Sequence, residues 1–116
     1  MSVPDMHTLA AIRVQAEFAG AQAKGHFKKW FLAVHRLALL KECEVYQFWA
    51  SASLAENVAF LRDCAGGPLQ GAVKKVVKEQ REIARAKKAM RECEATEKRL
   101  HSQYVAGMRY VFTKQA

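Results

Sequence analysis

Residues 72–106 read AVKKVVKEQREIARAKKAMRECEATEKRLHSQYVA, thirty-five positions between Gly71 and Gly107 with neither glycine nor proline. Ala, Glu, Lys, Arg and Gln dominate the stretch, and all are strong helix formers. It predicts one continuous helix about 50 Å long. A compact globule of 116 residues has a radius of gyration of only about 13 Å. The remaining residues are too few to wrap such a rod, so the sequence predicts an elongated all-α molecule with one long C-terminal helix over about 70–112.

The pattern within that helix says how it packs. Ile83, Ala86, Met90, Cys93, Glu97, Leu100, Tyr104, Gly107 and Val111 alternate steps of three and four, a heptad rhythm that places them on one narrow seam. A narrow seam with small and polar members suits contact along another helix better than support of a thick core. Ahead of it lies Gly66-Gly67-Pro68, two residues tolerant of positive φ and one that cannot continue a helix. The chain therefore reads as a single helical domain: apolar helices in 1–65, a turn at 66–68, and a long basic helix in 69–116. A helical hairpin or small bundle closing on itself is one expectation. An intermolecular coiled coil along the same seam is the other.

The first half also reads as helix. Pro4 and Asp5 mark a helix start, since an early proline loses no needed hydrogen bond and an aspartate complements the positive helix end. Leu9, Ile12, Ala16, Ala19 and Ala23 form one stripe, which Phe27, Trp30, Val34 and Leu37 extend beyond Lys24-Gly25. Gly20 and Gly25 predict a kink or a boundary between two helices. Ser53-Leu54-Ala55-Glu56 has capping-box spacing, so a short helix over Leu54–Cys64 is expected to start there, unless the preceding helix runs straight through.

Charge is unevenly placed. The whole chain carries nineteen Lys and Arg against eleven Asp and Glu, a formal +8, with a sequence pI near 9.7. Residues 1–68 have seven basic and six acidic side chains, and residues 69–116 have twelve and five. Lys74, Lys78, Arg81, Arg85 and Lys88 repeat at 4, 3, 4 and 3 and line one helix face. Such a face can neutralise nucleic-acid phosphate, an anionic lipid headgroup or an acidic protein surface. The plain alternative is a solvated face with local pairs, Glu79 reaching Lys75 or Lys78 and Glu82 reaching Lys78 or Arg85. No aromatic residue lies between Val73 and Leu100, so RNA held there would be gripped by its backbone rather than read by base stacking.

Residues that would carry chemistry are scattered. Cys43, Cys64 and Cys93 are 21 and 29 positions apart, with no CxxC, and three thiols cannot all pair within one chain. His7, His26, His35 and His101 are scattered, and none sits three or four residues from a Cys, Asp or Glu in a way that suggests a metal site. Gly66–Lys74 lacks both the preceding strand and the Gly-Lys-Ser/Thr of a phosphate-binding loop. Glu42 with Glu44, and Glu92 with Glu94, are two apart and point different ways on a helix. No catalytic, cofactor-binding or metal-binding set is expected. The longest apolar stretches, Trp30–Leu40 and Val45–Ala55, are about half the length needed to cross a bilayer. A basic region followed by an apolar run is missing from the N-terminus, so secretion is not expected.

The aromatic residues are the better clue. Phe27, Trp30, Phe31, Tyr46, Phe48 and Trp49 fall within 23 residues on what reads as a helix apolar around most of its circumference. Such a helix must be buried on every side, and one neighbouring helix covers only one, so the rings either meet several helices in one intrachain core or, the favoured expectation, are buried against other subunits. Large aromatics beside Lys28, Lys29 and Arg36 are the composition of obligate interface anchors. The expectation is a non-catalytic accessory subunit of a larger protein assembly, anchored by the aromatic residues and presenting its basic helix to an acidic or phosphate-bearing surface. Small, basic, helical chains of this composition resemble accessory subunits of mitochondrial inner-membrane respiratory-type complexes and mitochondrial ribosomal proteins. By that resemblance the first expectation is a respiratory-type complex in the mitochondrion, failing which the cytoplasm. An RNA-binding mitoribosomal protein and a homo-oligomeric coiled-coil adaptor are the alternatives.

Overall fold

Asp5 opens the first helix by accepting a 2.7 Å hydrogen bond from the Thr8 amide, which satisfies one of the donors left unpaired at a helix start. In the computed structural model, which describes residues 5–64 and 66–115, that helix is α1, Met6–Glu42. It is followed by α2, Glu44–Ser51, α3, Leu54–Asp63, and α4, Gln70–Gln115. The fold is all-α, and no strand occurs among the described residues. The expected role of Pro4 lies outside the described residues. α4 has 46 residues and continues past the expected end near 112, a length of about 69 Å.

α1 removes one alternative at its glycines, the boundary between two helices, and corrects the expected stripe. Neither Gly20 nor Gly25 ends the helix, which is continuous over 37 residues. A glycine costs a helix interior about 1 kcal/mol, too little to break a helix buried along one face before and after it. The buried stripe also follows different residues from those expected. His26 and Ala33 lie on it, whereas Phe27 and Val34 lie beside it and are exposed. Leu9, Ile12, Ala16, Ala19, Ala23, His26, Trp30, Ala33, Leu37 and Leu40 keep one unbroken 3-4 rhythm, and each is buried or half-buried.

A further correction concerns the aromatic residues, which are not on one helix. Cys43 adopts an extended conformation, φ −90° and ψ 123°, and separates α1 from α2. Its carbonyl accepts from the amides of Tyr46 and Gln47, so α2 starts at once in a new direction. Phe27, Trp30 and Phe31 therefore belong to α1, and Tyr46, Phe48 and Trp49 to α2. Ser53 then caps α3: its hydroxyl accepts from the Glu56 amide and donates to the Glu56 carboxylate, both at 3.1 Å. Half of the capping box forms, since the Glu56 carboxylate meets the Ser53 hydroxyl rather than the Ser53 amide, and the helix ends at Asp63, one residue before the expected Cys64. The turn that follows uses Gly66 at φ 86°, a conformation side chains disfavour, with the Gly66 amide donating to the Gln70 side chain.

Contacts gather into two compact units, one of Phe27–Lys87 and one of Met1–His26 with Lys88–Ala116. In the first, α1 and α4 are antiparallel: Leu40 meets Val76, and Arg36 meets Glu79 at 2.9 Å. Leu37, Tyr46, Trp49 and Ala50 close over that core. The Trp49 ring lies 4.4 Å from that of Phe60, centroid to centroid, which ties α2 to α3. Asn57, fully buried, donates through Nδ2 to the Trp49 carbonyl and to Gln80 Oε1, both at 2.9 Å. Gln80 Nε2 donates in turn to the Ala52 carbonyl at 2.9 Å. Two side-chain amides thus bind the end of α2, the middle of α3 and the start of α4 together.

In the second unit the helices also run antiparallel, with Gly20 against Glu97 and Leu9 beside Tyr104 and Met108. A Cβ on Gly20 would lie 2.9 Å from Glu97 Oε2, so the missing side chain is what admits that carboxylate. All nine members of the expected α4 seam, Ile83 through Val111, are buried or half-buried.

Candidate interaction surfaces

The aromatic residues divide by their position on the helices. Trp30 lies on the buried stripe of α1 and is half-buried, as are Tyr46 and Trp49 on the core side of α2. Phe27, Phe31 and Phe48 point away and are 50%, 57% and 73% exposed. Phe27 is nonetheless ordered against its neighbours, with ring centroids 5.7 Å from Trp30 and 6.5 Å from Phe31. Phe48 stands edge-on to Trp49 at 4.9 Å. The three rings have company on the same unit, since Leu32, Val34, Leu39, Val45 and Leu69 are also exposed. Exposed large hydrophobics therefore recur on both α1 and α2 of this unit.

The basic residues are all exposed: Lys74, Lys78, Arg81, Arg85 and Lys88. The first four line an open groove of about 450 Å³ together with Leu61 of α3 and Val77 and Glu82 of α4. Lys88, also exposed, belongs to the other unit. Among the described residues none of the five makes an ion pair, and the local pairs expected for them do not form. Glu79 turns inward to Arg36 on α1, with 12% of its side chain exposed. Lys75 lies over the ring of Tyr46, 5.2 Å from its centroid. The basic face thus keeps its charge available.

Some surface residues escaped the sequence reading. Val14 and Phe18 on α1 and Phe112 on α4 are more than 60% exposed. Val14 and Phe18 fall off the heptad stripe that contains Leu9, Ala16 and Ala23, and that displacement was the available signal. Leu61 carried no local signal, because its role in the groove depends on how α3 lies on α4.

No group of three His, Cys, Asp or Glu converges among the described residues. Cys43 and Cys64 are exposed and Cys93 is half-buried, all as free thiols. Asp5 has its carboxyl held below the ordinary aspartate value by the Thr8 amide that it accepts and, secondarily, by the Thr8 hydroxyl. Among the described residues no helix is long and apolar enough to cross a membrane. Set against family models, curated proteins and solved structures, the chain matches none of them.

Proposed function

We propose that the chain is a non-catalytic structural subunit of a larger protein assembly, held there by the exposed aromatic surface of its Phe27–Lys87 unit. One observation carries this reading: Phe27, Phe31 and Phe48 are half or more exposed although their neighbours on the same helices are packed. Large aromatics are the residues most often found at the energetic centre of an interface, where they give a broad contact at little entropic cost. The exposed Lys74, Lys78, Arg81 and Arg85 supply a second, charged face for an acidic neighbour. The chain's size, basicity and helical content are those of small accessory subunits, and a mitochondrial respiratory-type complex is the assembly we assign it to.

The experiment compares tagged wild-type chain with a Phe31→Ser, Phe48→Ser variant in native gels of extracts. Wild-type chain should migrate in one large complex. The variant should migrate as free chain while its far-ultraviolet circular dichroism stays unchanged, because neither ring is part of the core. Full incorporation of the variant would overturn the reading, and so would wild-type chain that migrates alone.

A further inference from the structure

We infer that the groove between α3 and α4 receives an acidic amphipathic helix of a partner protein. The inference rests on the reading of the chain as an assembly subunit and names the chemistry of one neighbour. The first argument is spacing. Lys74, Lys78, Arg81 and Arg85 step by 4, 3 and 4 along α4, so their charges advance about 5 Å at a time over about 16 Å. A second helix with carboxylates at the same steps presents the same advance, and the two rows stay in register from end to end. The second argument is the apolar component of the groove. Leu61 and Val77 line it beside the four cations, and an amphipathic helix brings hydrocarbon for Leu61 that a sugar–phosphate backbone lacks.

Glu82 decides between acidic helix and nucleic acid. It lines the same groove and has no ion pair among the described residues. Against a run of phosphates it adds like-charge repulsion. Against a protein helix it offers a site for one Lys or Arg and so fixes the direction in which that helix lies. No aromatic side chain lines the groove to stack a base. Glu79, next to Lys78 in the chain, is committed to Arg36 on α1 and does not pair with the row.

The test uses the full chain and three fluorescent probes read by anisotropy. One is a helical peptide of about three heptads with Glu at 4-3-4-3 steps and Leu alongside. The second is the same peptide with every Glu replaced by Gln, and the third is a poly(U) RNA of similar length. The acidic peptide should bind tightest of the three. A Lys78→Glu, Arg81→Glu variant should weaken it about tenfold or more, and Leu61→Ser about fivefold. A peptide with Lys in place of Glu should regain binding to the charge-reversed chain. Tighter binding of RNA than of acidic peptide would overturn the inference, as would peptide binding indifferent to Leu61→Ser in a chain of unchanged helicity. Because these substitutions leave Phe31 and Phe48 intact, failure here with retention of the native complex removes the groove's assignment alone.

Discussion

Gly20 and Gly25 sit five residues apart in α1, both in the middle of continuous helix, and differ in what an added methyl group would meet. At Gly25 nothing lies within 4 Å of the built Cβ; at Gly20 Glu97 Oε2 lies 2.9 Å away and its Cδ 3.0 Å. Alanine in place of an interior helical glycine is worth about 1 kcal/mol. Gly25→Ala should deliver that gain in full, raising the thermal midpoint by about 4 °C. At Gly20 the Glu97 carboxylate must swing aside, and moving a side chain off its preferred rotamer costs about 0.5–1.5 kcal/mol. Gly20→Ala should therefore come out near neutral. Adding Glu97→Ala removes the obstruction, so the double-mutant cycle should return a favourable coupling of about 0.5–1 kcal/mol. Thermal and urea unfolding followed by circular dichroism at 222 nm measure all four proteins. Loss of stability in Gly25→Ala would refute a continuous α1. A gain at Gly20 equal to that at Gly25 would refute the close approach of Glu97.

Two further perturbations test the fold at particular bonds. Asn57→Ala removes the donor to the Trp49 carbonyl and to Gln80 Oε1 and leaves the Gln80 acceptor half-buried, so urea unfolding should show a loss of about 2–3 kcal/mol; a loss under about 0.5 kcal/mol would mean that the amide network is not holding α2, α3 and α4 together. Asp5 has a carboxyl titrating below its ordinary value, so its cap is complete above the unfolded-state value and is lost as pH falls through the lower folded one. Amide exchange at Thr8, read by nuclear magnetic resonance, should accelerate in that acidic window beyond the intrinsic pH dependence of exchange, and Asp5→Asn should remove the extra pH dependence.

What could be read from the chain, and what could not, divides by range. The α4 seam, the turn at Gly66 and the Ser53–Glu56 cap rest on residues a few positions apart, where rotamer, propensity and hydrogen-bond geometry are set locally, and each is found as expected. The break at Cys43 has no glycine or proline to announce it. Beyond it α2 folds Tyr46, Trp49 and Ala50 over Leu40 and Val76, a tertiary contact with no local signal. The stripe of α1 was misread at Phe27 and Val34 because hydrophobicity weights large residues, whereas close helix contact favours small ones; Ala33 is fully buried and Phe27 half exposed. Glu79 has Arg36, forty-three positions away, as its partner, which no local pairing rule anticipates. The candidate surfaces share this split. The 4-3-4 spacing of the cations is written in the chain, but Leu61 beside them is a product of tertiary packing.

The Ala16, Ala19, Gly20 and Ala23 stripe carries a consequence for how the molecule breathes. Small side chains let two backbones come close, yet each buried methyl removes little hydrocarbon from water, about 0.8 kcal/mol of transfer free energy per carbon. The Met1–His26 and Lys88–Ala116 unit, with its alanine stripe, should therefore open at a lower free energy than the valine-rich Phe27–Lys87 unit. Cys93, half-buried on that same seam, becomes a natural reporter of the opening, its thiol meeting alkylating reagents faster as the zipper parts.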